Sequence, residues 1–61
     1  MKMVKVFDGK EEVYIWPDQI IYIKPGHQNR GCYVAIATNK VFSGGTTAEG
    51  FTKIAEEARN N

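Results

Sequence analysis

Sixty-one residues make one domain, and a chain of this size buries only about 60% of the surface its unfolded form exposes, so its core alone gives modest stability. One cysteine and one histidine exclude an intrachain disulfide and a zinc site built from four ordinary ligands, which leaves self-association as the expected aid. A formal net charge of +1, with Lys and Arg scattered among acids, gives little support to sequence-independent nucleic-acid binding.

From the N-terminus, Met3 to Phe7, "MVKVF", alternates apolar and polar residues and meets Asp8-Gly9, a dipeptide suited to a tight hairpin turn. "EEVYIW", Glu11 to Trp16, is the returning strand, with Val4, Val6, Val13 and Ile15 on the inner face. Pro17 in "WPDQ" lacks an amide for a sheet and ends it. A third strand runs from Ile20 to Pro25, with Ile21 and Ile23 facing inward and Tyr22 and Lys24 outward, and the polar loop "PGHQNRG" follows. Cys32 to Thr38, "CYVAIAT", is the most apolar segment and is expected at the centre of the sheet. Cys32 within it reads as a small buried hydrophobe and fits a reducing compartment. A turn at Asn39-Lys40 leads into the short strand "VFS".

Beyond Thr46 the period changes. Phe51, Ile54, Ala55 and Ala58 make one helical stripe, while Lys53, Glu56, Glu57 and Arg59 face water. Thr46 and Glu49 have the spacing of a capping box. The expected fold is α+β: a small antiparallel β-meander of four or five strands followed by one C-terminal amphipathic α-helix, residues 1–61 forming a single domain. Unpaired sheet edges in such a fold again point to a homo-oligomer. No apolar run approaches the ~20 residues of a membrane helix, and the N-terminus lacks the apolar core of a signal peptide. A cytoplasmic protein without a membrane partner is therefore expected.

Chemistry is concentrated in two places. "SGGTT" brings Gly44, Gly45, Thr46 and Thr47 to the start of the helix, where amides and hydroxyls suit an anion, or simply build a corner. No lysine follows the glycines, which excludes a triphosphatase loop. The stretch "KPGHQNRGC" collects Lys24, His27, Gln28, Asn29 and Arg30, and Lys40 would join its cations if the two loops carrying these residues lie side by side. Tyr14, Trp16, Tyr22 and Tyr33 fall opposite the inner faces of their strands and suit either a subunit interface or stacking on a planar ligand. His27 has no neighbouring partner for acid–base work, and Glu11-Glu12 and Glu56-Glu57 point apart.

The segment "FDGKEEVYIWPDQIIYI", with Phe7 to Lys10 at the turn and Pro17-Asp18 followed by Ile20, Ile21 and Ile23, resembles the FlbD-like small flagellar-cluster proteins. The resemblance in layout extends over nearly the whole chain and implies strands, turns and one final helix; "PGHQNRG" and "SGGTT" depart from that family's acidic, glycine-poor segments. "DQIIYIK" is also similar to the opening strand of LytTR-type DNA-binding domains.

The expected function is non-enzymatic and needs no cofactor or metal. An oligomeric protein, of the kind a phage or bacterium uses as an accessory, would hold a small anionic ligand such as a signalling nucleotide in intersubunit or strand-to-helix pockets. Gly44, Gly45, Thr46 and Thr47 would be donors, Lys24, His27, Arg30 and Lys40 would supply charge, and Trp16 or Tyr33 would stack on a base. The alternatives are a nucleic-acid-binding regulatory module, which is less favoured, and a protein–protein adaptor.

Overall fold

The computed structural model covers residues 1–61. Val4–Asp8 (β1) and Glu11–Ile15 (β2) form the expected hairpin, in a register that sets Val4 against Ile15 and Val6 against Val13. A short 3-10 turn, Pro17–Gln19, leads to Ile20–Pro25 (β3). A second turn, His27–Asn29, leads to Cys32–Ile36 (β4), then Val41–Ser43 (β5) and the helix Ala48–Asn60 (α1). The fold is α+β, a five-stranded antiparallel sheet followed by one C-terminal helix, with β3, β4 and β5 running as a meander.

Across the sheet the order is β2-β1-β5-β4-β3, so β2 and β3 lie at opposite edges although only residues 16–19 separate them in sequence. A flat sheet of five strands would hold its outer strands about 19 Å apart, whereas the five steps from Ile15 to Ile20 reach roughly 18 Å at full extension. Pro17–Gln19 are coiled, so even that reach is not attained, and the sheet must curl into a half-open barrel.

The concave side is filled by Val4, Val6, Ile15, Cys32, Val34 and Phe42 from the sheet and by Phe51, Ala55 and Ala58 from the helix. The two alanines let α1 lie close against the strands, and burial of Phe51 contributes about 2 to 3 kcal/mol. The helix is tied at both ends. The Thr47 hydroxyl accepts from the Gly50 amide at 3.1 Å, and Lys2 N–H donates to the Ala58 carbonyl at 2.8 Å. Near the C-terminus Arg59 lies 3.3 Å from the Asp18 carboxylate and donates to the Pro17 carbonyl at 3.4 Å, strapping the last turn to the link between the sheet edges. No helix is long and apolar enough to cross a membrane.

Four local expectations change. β5, not β4, is central; β4 buries Cys32 and Val34 on its inner face and, on the outer face that exposes Tyr33, only Ala35, which is 5% exposed. In β3 the register slips between Ile20 and Tyr22, a bulge that leaves Ile21 62% exposed and turns Ile20 toward the core with Ile23. The helix cap is Thr47, one residue later than expected, so its third helical position is Gly50 and the reciprocal bond from Glu49 to Thr46 does not form. Ile54, on the apolar stripe, remains half exposed.

Candidate functional site

β5 is only three residues long, and this shortness opens the candidate site. Phe7 pairs with Ser43, and extending that register would set Lys5 against Gly45, yet no backbone hydrogen bond crosses there. Gly44 N–H points the other way, donating to the Cys32 carbonyl at 3.0 Å. Alternation along β1 therefore turns the main-chain N–H and C=O of Lys5 toward the gap that β5 leaves.

The chain cannot close that gap because packing fixes the corner. Gly44 is buried, and a methyl group there would run into the Cys32 sulfur and come 3.2 Å from the Phe51 ring. Gly45 has φ +79°, and a methyl group on it would stand 2.6 Å from a ring carbon of Phe7. Both positions demand glycine, the second for backbone conformation as well as space. Burial pushes the Cys32 thiol up from its ordinary value, and the Gly44 and Thr46 amides act against that rise. The Gly44 amide, one of those an anion nest would use, is thus already taken by the Cys32 carbonyl.

What remains is a recess of about 420 Å³ lined by Lys5, Phe7, Gly44, Gly45, Thr46, Phe51 and Ile54. The donors its lining residues carry are the Lys5 ammonium and main-chain N–H, the Gly45 N–H, which makes no backbone bond, and the hydroxyl of half-buried Thr46, with the Lys5 carbonyl turned to the same gap. Its walls are apolar. The Lys5 ammonium lies 5.8 Å from the Phe7 ring centroid and 3.8 Å from the Glu12 carboxylate.

A second recess, about 340 Å³, lies between the polar loop and the helix start and is lined by Pro25, Asn29, Thr47, Ala48 and Glu49. The Glu49 carboxylate opposes an anion there. Of the expected donors, then, Gly44, Gly45 and Thr46 share one recess and Thr47 lines the other while capping α1.

The expected cations do not gather at the corner. Lys24, His27 and Arg30 are exposed at the same end of the sheet as the corner, but none lines either recess. Lys40 is at the opposite end, because β4, roughly 13 Å long, separates the two loops. There it lies 3.6 Å from the Asp8 carboxylate and 5.6 Å from the Phe42 ring centroid. Trp16 and Tyr33 are exposed away from both recesses; Tyr33 faces Lys24 and Ser43 across the sheet.

Lys5, which sequence reasoning missed, is the charged member of the larger recess. In the sequence it is only the polar residue of an alternating strand. The one available signal was the brevity of "VFS" ahead of two glycines, which stops the ladder one pair short of Lys5. Comparison with protein-family models, curated proteins and solved structures finds no match.

Proposed function

We propose that the chain is a non-enzymatic binding protein that works as a homo-oligomer and holds a small anionic ligand, such as a nucleotide, in the recess between β1, the glycine corner and α1. The observation that carries this reading is that Lys5, the one cationic residue of the lining, and Gly45, whose N–H makes no backbone bond, border the same apolar-walled recess. The same lining offers no acid–base pair, since Thr46 supplies its only hydroxyl and no carboxylate or imidazole joins it. Self-association is supported by the open edges of β2 and β3 and by the exposed outer face, where Tyr22, Tyr33 and Val41 surround the buried Ala35.

Native mass spectrometry of protein isolated without refolding tests both parts at once. An oligomer with a retained anionic small molecule is the expected result, and a bare monomer overturns the reading.

A nucleic-acid-binding module is the second reading. It is favoured by the cross-strand pair of Lys24 with Tyr33, which sets a cation beside an exposed ring. Salt separates the two, because binding to a polyanionic backbone weakens steeply as salt rises and binding in a recess responds less.

A further inference from the structure

We infer that the recess beside Lys5 selects a singly charged oxyanion joined to a compact planar or apolar body, a phosphodiester or a carboxylate, and discriminates against polyphosphates. The inference rests on the reading that this recess holds an anion, and it adds which anions.

Charge is the first ground. Lys5 is the only ionisable residue in the lining, and its ammonium is already 3.8 Å from the Glu12 carboxylate on the neighbouring strand. A ligand bearing one negative charge can share that ammonium. A triphosphate brings several charges to a site with one cation and sets the surplus near Glu12, where like charges repel. The other cations at this end, Lys24, His27 and Arg30, line no part of the recess.

The donors agree with that count. A carboxylate or a phosphodiester has two unesterified oxygens, and the recess offers an ammonium together with the N–H groups of Lys5 and Gly45, with the Thr46 hydroxyl beside them. The walls define the remainder of the ligand. Phe7, Phe51 and Ile54 supply the apolar lining of the recess, Phe51 being fully buried beneath the surface. Ile54 is the one member of the helix's apolar stripe that stays half exposed, while Phe51, Ala55 and Ala58 are buried. An apolar or planar body seated against Phe7 would cover it. At about 420 Å³ the recess has room for one small body of this kind.

Nitrogen–proton correlation NMR of the full chain tests this with four probes: cyclic adenosine monophosphate, phenylpropionate, adenosine triphosphate and inorganic phosphate. At least one of the first two is expected to shift the Lys5, Gly45, Thr46 and Ile54 amides, with a Kd about tenfold below that for the triphosphate. Which of the two binds identifies the source of the oxyanion. Lys5→Gln should weaken that binding about tenfold with the rest of the spectrum unchanged, and Glu12→Gln should narrow the discrimination against the triphosphate. If the triphosphate or inorganic phosphate binds here more tightly than both monoanions, the inference falls while the anion-binding recess stands. If none of the four moves these amides, both fall.

Discussion

Two connections meet at one end of the sheet, and they are built in opposite ways. The loop from Gly26 to Gly31 is rich in polar side chains and shaped by its main chain: Gly26 N–H donates to the Gly31 carbonyl at 3.1 Å, Asn29 N–H to Gly26 at 3.1 Å and Arg30 N–H to His27 at 3.0 Å. Its side chains are exposed, and no packing aims them. The corner from Ser43 to Thr47 has almost no side chain to offer, but its glycines press on Cys32, Phe51 and Phe7 and its second threonine caps the helix. A binding site needs donors held in place more than it needs many donors, and only the corner meets that condition.

The largest effect expected on this contrast comes from removing the floor beneath the corner. Phe51 is 1% exposed, and Phe51→Ala should cost about 3 to 5 kcal/mol. A domain of this length has a total stability of roughly 3 to 9 kcal/mol, so much of the population should be unfolded at room temperature. Loss of circular dichroism in the absence of denaturant is the measurement; a variant that unfolds like the parent would mean that the corner does not depend on this floor.

Gly44→Ala is next, at about 1 to 3 kcal/mol by urea denaturation, because the added methyl group meets the Cys32 sulfur and the Phe51 ring. Cys32→Ala removes the first obstacle. The cost of Gly44→Ala should therefore shrink in that background, and strictly additive costs would show that the sulfur is not what confines the corner.

The same contrast governs how much the sequence reveals. Period-two patterning located the longer strands and period-three-to-four patterning the helix, because Val4, Val6, Ile15, Val34, Phe51, Ala55 and Ala58 repeat at the spacing of the face they bury, whereas the three-residue β5 is too short to show a period and left the strand count at four or five. Ile21 escaped the pattern, since a bulge changes the face of a residue without changing its type. The recess was half legible. Its glycines announce a special backbone, whereas Lys5 is remote in sequence and becomes a lining residue only through the pairing of β1 with β5 and the early end of β5. Lys40 misled for the same reason, because adjacency of loops depends on the direction of the strand between them.

The threonines give a smaller and more local test. Thr47→Ala should cost about 1 kcal/mol, the usual value of a helix cap, since Gly50 N–H loses its acceptor. Thr46→Ala should cost less, because that hydroxyl does not cap the helix. Thermal melts of the two variants check the order, and a larger loss at Thr46 would move the cap back to the position that the capping-box spacing indicates.

The smallest expected effect has the opposite sign and lies in the loop. Gln28 has φ 54° and ψ 33°, left-handed like Gly45 at φ +79°, but it carries a side chain exposed to solvent where Gly45 has a hydrogen beside Phe7. A left-handed residue with a side chain costs roughly 1 to 2 kcal/mol, and glycine loses about 0.5 to 1 kcal/mol more in conformational entropy on folding. Gln28→Gly should therefore stabilise the protein by about 0.5 kcal/mol, whereas Gly45→Ala should destabilise it, because there the same backbone conformation coincides with a steric limit. Paired urea melts read both signs. A stabilising Gly45→Ala would show that the Phe7 contact yields, and the corner would then be no more rigid than the loop beside it.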